Sequence, residues 1–339
     1  MLFRSASPAV YLELARHLAD RSFGGSVALV SGADRRLAET VGHLIEAHAL
    51  RFAGAWPKPL SKVAVARMLA AASVPKGVKP SAAASPQISL QQLQCGLEQG
   101  VGLEAWFQPK VAAGSRRPVG AECLARWREG GVMVSPLAFI PMAEEHGLID
   151  PLTQQVFQLA LRQAGTWMLR GHHIKLTLNL FMDSLVDISL PDRLLQWVAE
   201  AGLEPVRVTL ELTESRLMDQ PRATLEVLTR LRLNGFGLSI DDFGTGHSSL
   251  DKLKLLPFTE LKVDRAFVHG ASLDPVSSVI LKTSVHIAHS LGMTVVAEGV
   301  ETEDDIAYAT ELGCDELQGY GVARPMTADA LARWLEAQA

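Results

Sequence analysis

Val206-Arg207-Val208-Thr209-Leu210-Glu211-Leu212 is the stretch on which the fold turns. Read as a strand, it places Val206, Val208, Leu210 and Leu212 on one face and Thr209 and Glu211 on the other, because strand side chains alternate with a period of two. The same parity governs Ile174–Leu180, where Leu176 and Leu178 oppose Thr177 and Asn179, and Phe236–Asp241, where Leu238 and Ile240 oppose Gly237, Ser239 and Asp241. An apolar face that meets helices and a small or polar face that lines an interior is the pattern of a closed barrel. Further candidate strands are Leu103–Val111, Val119–Ala125, Glu260–Val263, Thr294–Ala297 and Asp315–Gln318, separated mostly by helical stretches. The expected class is α/β, with a mainly parallel (β/α)8 TIM-like barrel.

The chain has 339 residues, more than the roughly 250 of a typical barrel, so a smaller second domain is expected. Apolar residues make up 48% and charged residues 20%, the balance of a soluble globular protein rather than a disordered one. A net charge of −5 argues against a broad grip on polymeric nucleic acid, which needs a Lys/Arg surplus. No run approaches the ~20 apolar residues of a membrane span, and Met1-Leu2-Phe3-Arg4-Ser5 lacks the apolar core of a signal peptide, so a cytoplasmic location is expected. Cys95, Cys123 and Cys314 are odd in number and lack CxxC spacing, which reads as reduced thiols.

SVPKGVKPSAAASPQIS, residues 73–89, loses all periodicity and concentrates Pro, Ser, Ala and Lys, as linkers do. It divides the chain into a module at 1–72, a linker at 73–88 and a barrel at 89–339. In the module, Val27-Ala28-Leu29-Val30 reads as a buried strand ending at Ser31-Gly32. A helical pattern from Arg35 to about His48 follows, then a strand near Phe52 and a Pro57-Lys58-Pro59 break. This order resembles the last half of a response-regulator receiver domain, with Ser31 matching the switch hydroxyl and Lys58 the lysine. The acidic pair and the phosphorylated Asp would lie on strands before Tyr11, so the resemblance implies a truncated or degenerate receiver that takes no phosphate. A small α/β docking module whose Ser31 and Lys58 merely end strands is the other reading.

Polar residues collect at the C-terminal ends of the barrel strands: Glu122, Asn179, Glu211, Asp241, Lys262, Glu298 and Gln318. One such residue commonly caps a helix or is solvated. A set of them converging in one mouth is a site. Glu122, Glu211, Asp241 and Glu298 would repel one another and raise each other's pKa values unless cations sat among them, which implies bound metal. Oxygen donors without His or Cys favour Mg²⁺ or Mn²⁺ over zinc. Gly244 and Gly246 let the segment DDFGTGHSSL turn sharply and move. His286 and His289, one helical turn apart, read as surface or packed histidines.

From about Ser89 onward the chain resembles the EAL phosphodiesterase family. FQPKV, ECLARW, LNL, ELTES, DDFGTGHSSL, LKVD, VAEGVET and LQGYGVARPM occur in that family's order. The resemblance implies metal-dependent hydrolysis of cyclic di-GMP to linear pGpG. It implies one ion on Glu122, Asn179, Glu211 and Asp241 and a second on Asp241, Asp242 and Glu298. It casts Lys262 as the residue that positions the attacking water and Glu298 as a candidate base whose role as ligand is the stronger. Glu214 would tether the DDFGTG loop and Glu301 brace the catalytic strands, while Gln108, Leu124, Arg126 and Gln318 would contact the dinucleotide. A homodimer is implied as well. Two positions depart from the pattern: Cys123 stands where the family has Ala, facing away from the mouth by alternation, and His247 where it usually has Tyr. The rival readings are a catalytically silent domain that binds cyclic di-GMP or only a protein partner, and a barrel hydrolase for another phosphodiester. The set of ligands and Lys262 together favour turnover.

Overall fold

The computed structural model describes residues 88–213, 222–243 and 250–338, together with 2–3, 16–19, 21, 23–31, 35–48, 50–58, 60, 64–65 and 68. The chain divides into two compact units, Met1–Ala84 and Ser85–Ala339. The first holds a parallel sheet of β1 (Leu2–Phe3), β2 (Ser26–Ser31) and β3 (Arg51–Pro57) in that order. Alternation splits β2 between two small cores. Val27 and Leu29 pack with Val41 and Ile45 of the helix Arg35–Ala47, whereas Ala28 and Val30 pack with Met68. An uninterrupted apolar run such as Val27–Val30 suits a strand covered on both faces. The strand β1 was not expected from the sequence, since two residues carry no periodicity. Lys58 is exposed, while Tyr11, most of the expected linker and the side chain of Ser31 lie outside the described residues.

In the second unit the strands are β4 (Leu103–Ala112), β5 (Pro118–Glu129), β6 (Val132–Val134), β7 (Lys175–Asn179), β8 (Val208–Thr213), β9 (Gly237–Phe243), β10 (Glu260–Val263), β11 (Thr294–Glu298), β12 (Glu316–Gln318) and β13 (Met326–Thr327). The order β4-β5-β7-β8-β9-β10-β11-β12 returns to β4 and closes the expected barrel. From β5 through β12 the neighbouring barrel strands are parallel. The strand β4 runs antiparallel to both its neighbours. The loop 113–117 joining it to β5 is too short for the crossover of about a dozen residues that a parallel pair requires. Short antiparallel additions, β6 on β5 and β13 on β4, were not foreseen.

One strand begins later than its alternation suggests. Val206 and Arg207 belong to a 3-10 turn, Pro205–Arg207, and β8 starts at Val208. Proline opens that turn because its φ is fixed and it has no N–H to offer a ladder. The apolar faces meet the helices as expected: Leu176, Leu178, Val208, Leu210, Leu212, Leu238 and Ile240 are buried in one continuous core. The opposite faces fill the barrel with Thr177, Thr209 and Ser239 and, among them, buried lysines and carboxylates. No described helix is long and apolar enough to cross a membrane.

Candidate active site

Strand register assembles the site. Asn179 lies opposite Glu211, Gln108 opposite Glu122, and Glu298 opposite Gln318, so three neighbouring pairs of strands contribute to the barrel mouth. Lys262 enters this ring from β10 and is 1% exposed. Its Nζ stands 2.6 Å from Glu298 Oε1, 2.7 Å from Glu211 Oε2, and 3.5 Å from both Glu122 Oε2 and Asp241 Oδ1. Glu122 is fixed from two further sides: Gln318 Nε2 donates to its Oε2 at 2.5 Å and Asn179 Nδ2 to its Oε1 at 3.1 Å. Gln318 also reaches Gln108 Oε1 at 3.5 Å, and Gln108 donates to the carbonyl of Ala323. The seven strand-end residues expected from parity therefore form one network.

One ammonium faces four carboxylates, and the balance of charge follows from that. Burial opposes the charge on Lys262, but the surrounding carboxylates override it and hold its pKa well above the usual lysine range. Burial likewise opposes charge on Glu122, yet Lys262 and the two amide donors keep that carboxyl below its usual value. Glu211 has no such set of donors; burial and the neighbouring Glu122 push it well up despite Lys262. Burial outweighs Lys262 at Glu298 as well and, with Asp241 nearby, pushes that carboxyl up to about 8. Asp241 Oδ1 is buried and accepts no hydrogen bond.

A divalent ion fits this donor set. The oxygens of Glu122, Asn179, Glu211, Asp241 and Glu298 are hard ligands, Asp241 Oδ1 is a buried acceptor left open, and the negative charge exceeds what Lys262 balances. Among the described residues, no three His, Cys, Asp or Glu side chains are already drawn together as a ligand shell; the carboxylates fan around Lys262 instead. Glu214, the side chain of Asp242 and residues 244–249, His247 included, lie outside the described residues.

Two cavities meet at Glu122. One of about 490 Å³ is bordered by apolar groups including Ile140, Val156 and Phe181, with Leu124, Arg126 and Asn179 on its wall. The other, of about 430 Å³, is more polar and is bordered by Gln108, Arg265, Glu298, Glu301, Gln318 and Tyr320. The residues expected to contact a dinucleotide thus line these two chambers. Cys123 is buried in the core and borders the larger one, and burial pushes its thiol far up. Glu301 accepts from Arg265 at 2.7 and 2.9 Å. The histidines His286 and His289 do not enter the site; His289 pairs with Asp315 at 3.0 Å.

A second charged layer lies deeper in the barrel, and the sequence reading missed it. Lys110, 1% exposed, has its Nζ 3.1 Å from Glu260 Oε2 and 3.4 Å from Glu316 Oε2. A usable signal was present. Lys110 is two residues from Gln108, Glu260 two from Lys262, and Glu316 two from Gln318, so each shares the inward face of its strand with a site residue. Because β4 runs backwards, Lys110 follows Gln108 away from the mouth; its register partner on β5 is Gly120. A Cβ at Gly120 would come within 3.3 Å of Lys110 Cε, so the glycine leaves room for that side chain.

The EAL domain family matches residues 90–325. The chain is 35% identical over 303 residues to the cyclic di-GMP phosphodiesterase RocR of Pseudomonas aeruginosa, across 89% of this chain and 77% of that protein. It is 40% identical over 228 residues to the bifunctional diguanylate cyclase/cyclic di-GMP phosphodiesterase MucR of the same organism, across 66% of this chain but only 33% of that longer protein. Among solved structures, the PaMucR phosphodiesterase in a c-di-GMP complex superposes with a TM-score of 0.66 at 38% identity, over 71% of this chain and 99% of that one.

Proposed function

The chain belongs to the EAL domain family, and we propose that it is a phosphodiesterase hydrolysing cyclic di-GMP to linear pGpG. The observation that carries this reading is Lys262, buried at the mouth of the barrel with its ammonium shared among Glu122, Glu211, Asp241 and Glu298 where two cavities meet. The family implies dependence on divalent metal. Two ions, Mg²⁺ or Mn²⁺, would be held by Glu122, Asn179, Glu211, Asp241, Asp242 and Glu298. When bound, they supply Lewis acidity that neutralises phosphoryl charge and acidifies the attacking water.

The chain's own residues orient that chemistry. Lys262 Nζ holds Glu211 Oε2 and Glu298 Oε1 in place, and its ammonium would orient the attacking water. Gln318 and Asn179 lock the Glu122 carboxylate so that it presents the same face at each turnover. Arg126, beside the larger cavity, suits a phosphate oxygen, and Gln108, Leu124 and Gln318 would contact the rest of the dinucleotide. Glu301, held by Arg265, would brace the catalytic strands, and Glu214 would tether the loop after Asp242. We further propose a cytoplasmic homodimer in which residues 1–72 are a degenerate receiver-like or docking module.

The test is conversion of cyclic di-GMP to pGpG by the purified protein with Mg²⁺ or Mn²⁺, alongside a chelated control and a binding measurement. Metal-dependent formation of pGpG is expected. Tight binding without turnover would replace this reading with that of a receptor, and neither binding nor turnover would leave a protein-interaction role.

A further inference from the structure

We infer that Asp305 is a positioning residue that sets Glu298 against Lys262. The inference deepens the proposed phosphodiesterase reading and rests on it for the identity of the reaction. Asp305 is the third residue of the helix Glu303–Glu311 and forms a capping box with Thr302: Thr302 Oγ1 accepts from Asp305 N at 3.1 Å, and Asp305 Oδ2 accepts from Thr302 N at 3.0 Å. A capping box ends there, whereas this carboxylate does more. Oδ2 also accepts from Glu301 N at 3.0 Å and lies 2.9 Å from His269 Nδ1, and Oδ1 accepts from Gly270 N at 2.8 Å. The residue is 4% exposed.

These bonds join two segments that the sheet itself leaves unjoined. Ladder pairing between β10 and β11 places Lys262 opposite Val296 and Val263 opposite Ala297, and it stops there. Glu298 is therefore one residue beyond the last β10–β11 pair, yet its Oε1 stands 2.6 Å from Lys262 Nζ. On the β10 side, the helix Arg265–Val268 leads to His269 and Gly270. On the β11 side, Gly299 and Val300 lead to Glu301. Asp305 ties one end to the other, and Arg265 adds a second tie through Glu301. Gly299, at φ +64°, packs directly on the stem of Arg265; a Cβ there would lie 2.3 Å from Arg265 Cγ. On its other side Val300 N donates to Gln318 O at 3.2 Å and Gly321 N to Val300 O at 2.8 Å. With that side fixed by β12, the tie that Asp305 makes, with the Arg265–Glu301 pair beside it, holds the separation of Glu298 from Lys262.

A control with a more exposed carboxylate exists toward the opposite end of β11. Asp315 Oδ2 accepts from Val295 N at 2.8 Å and pairs with His289 at 3.0 Å, the same kinds of donor far from Glu298 along the strand. The experiment compares Asp305→Asn with Asp315→Asn, with His269→Ala as a milder lesion of the same tie should Asp305→Asn fail to fold. Each full-length variant is assayed for kcat and KM with cyclic di-GMP, for Mn²⁺ affinity by electron paramagnetic resonance, and for amide exchange at Gly270 and Glu301. Displacing a supporting group of this kind costs about 10- to 100-fold. Asp305→Asn should lower kcat by that factor with KM within about two-fold, weaken Mn²⁺ binding, and expose both amides. His269→Ala should move kcat and Mn²⁺ affinity the same way by a smaller factor, and Asp315→Asn should leave both near wild type. Loss of amide protection at unchanged kcat and Mn²⁺ affinity, or equal losses in Asp305→Asn and Asp315→Asn, would overturn the inference. If the wild type turns over no cyclic di-GMP, the reaction assignment fails, and the Mn²⁺ arm alone decides the role of Asp305; if it binds no Mn²⁺ either, both fall.

Discussion

Lys262 and Lys110 are both buried lysines inside one barrel, in different layers, and their surroundings differ. Around Lys262 stand four carboxylates, two at 2.6–2.7 Å and two at 3.5 Å, on a ring that opens into two cavities. Around Lys110 stand Glu260 and Glu316, and it borders neither of those two cavities. At Glu260, burial would raise the carboxyl, but Lys110 overrides it and holds it low. The deep layer sets one lysine against two carboxylates, Glu260 held low and Glu316 raised by burial. The mouth layer sets one lysine against four, a larger excess of negative charge, and that excess is what a bound dication would use. The same residue type therefore serves different ends according to access and the number of acidic neighbours.

Breaking the deep layer should give the largest effect on stability. Lys110→Met strands Glu260 and Glu316 in the barrel and should cost about 3–5 kcal/mol in urea unfolding, while the folded fraction retains most of its kcat. Loss of turnover without loss of stability would erase the contrast between the layers. In the mouth layer the outcome should invert. Glu122→Ala should lower kcat by about 100- to 1000-fold, with an unfolding midpoint close to wild type, because three carboxylates still face Lys262. Retained activity in metal-containing buffer would remove Glu122 from the site.

The pH dependence sharpens the contrast at smaller scale. The Glu260 carboxyl is depressed in the folded protein, so its contribution is present above the unfolded value of about 4.3 and is lost as pH falls through the folded value. Lys110 is raised: burial works against it, and Glu260 and Glu316 overcome that, so its contribution is present below about 10.4 and is lost only as pH climbs beyond. The stability gap between wild type and Lys110→Met should thus be widest between about pH 5 and 9 and narrow in acid, as read from unfolding curves across that range. The smallest effect is expected at Cys123, which belongs to neither layer. Cys123→Ala should cost about 1 kcal/mol and change kcat less than about two-fold, and the wild-type thiol should resist alkylation until the protein unfolds.

Parity along single strands was enough to find the mouth. Thr209 and Glu211, Thr177 and Asn179, and Ser239 and Asp241 each share an inward face because a strand repeats every two residues, and that rule needs no partner strand. The same rule held Lys110, Glu260 and Glu316, but Glu260 and Glu316 open their strands and Lys110 lies within β4, so none stands at the C-terminal strand end where a barrel site is sought. Nothing local told whether an inward lysine would be balanced or buried at all. The antiparallel course of β4 was legible only through the shortness of the loop 113–117, and its effect, sending Lys110 inward while Gln108 stays near the mouth, needed the closed sheet.

By itself, then, the sequence determined the alternating faces, the ring of strand-end carboxylates with Lys262, and the family resemblance, since each rests on short-range periodicity or contiguous motifs. Tertiary structure alone decided which lysine faces four carboxylates and which two, that Gln318 and Asn179 lock Glu122, and that Asp305 ties the ends of β10 and β11 together. Those contacts join residues far apart in the chain, and barrel closure with its strand register, rather than local pattern, brings them within hydrogen-bonding distance.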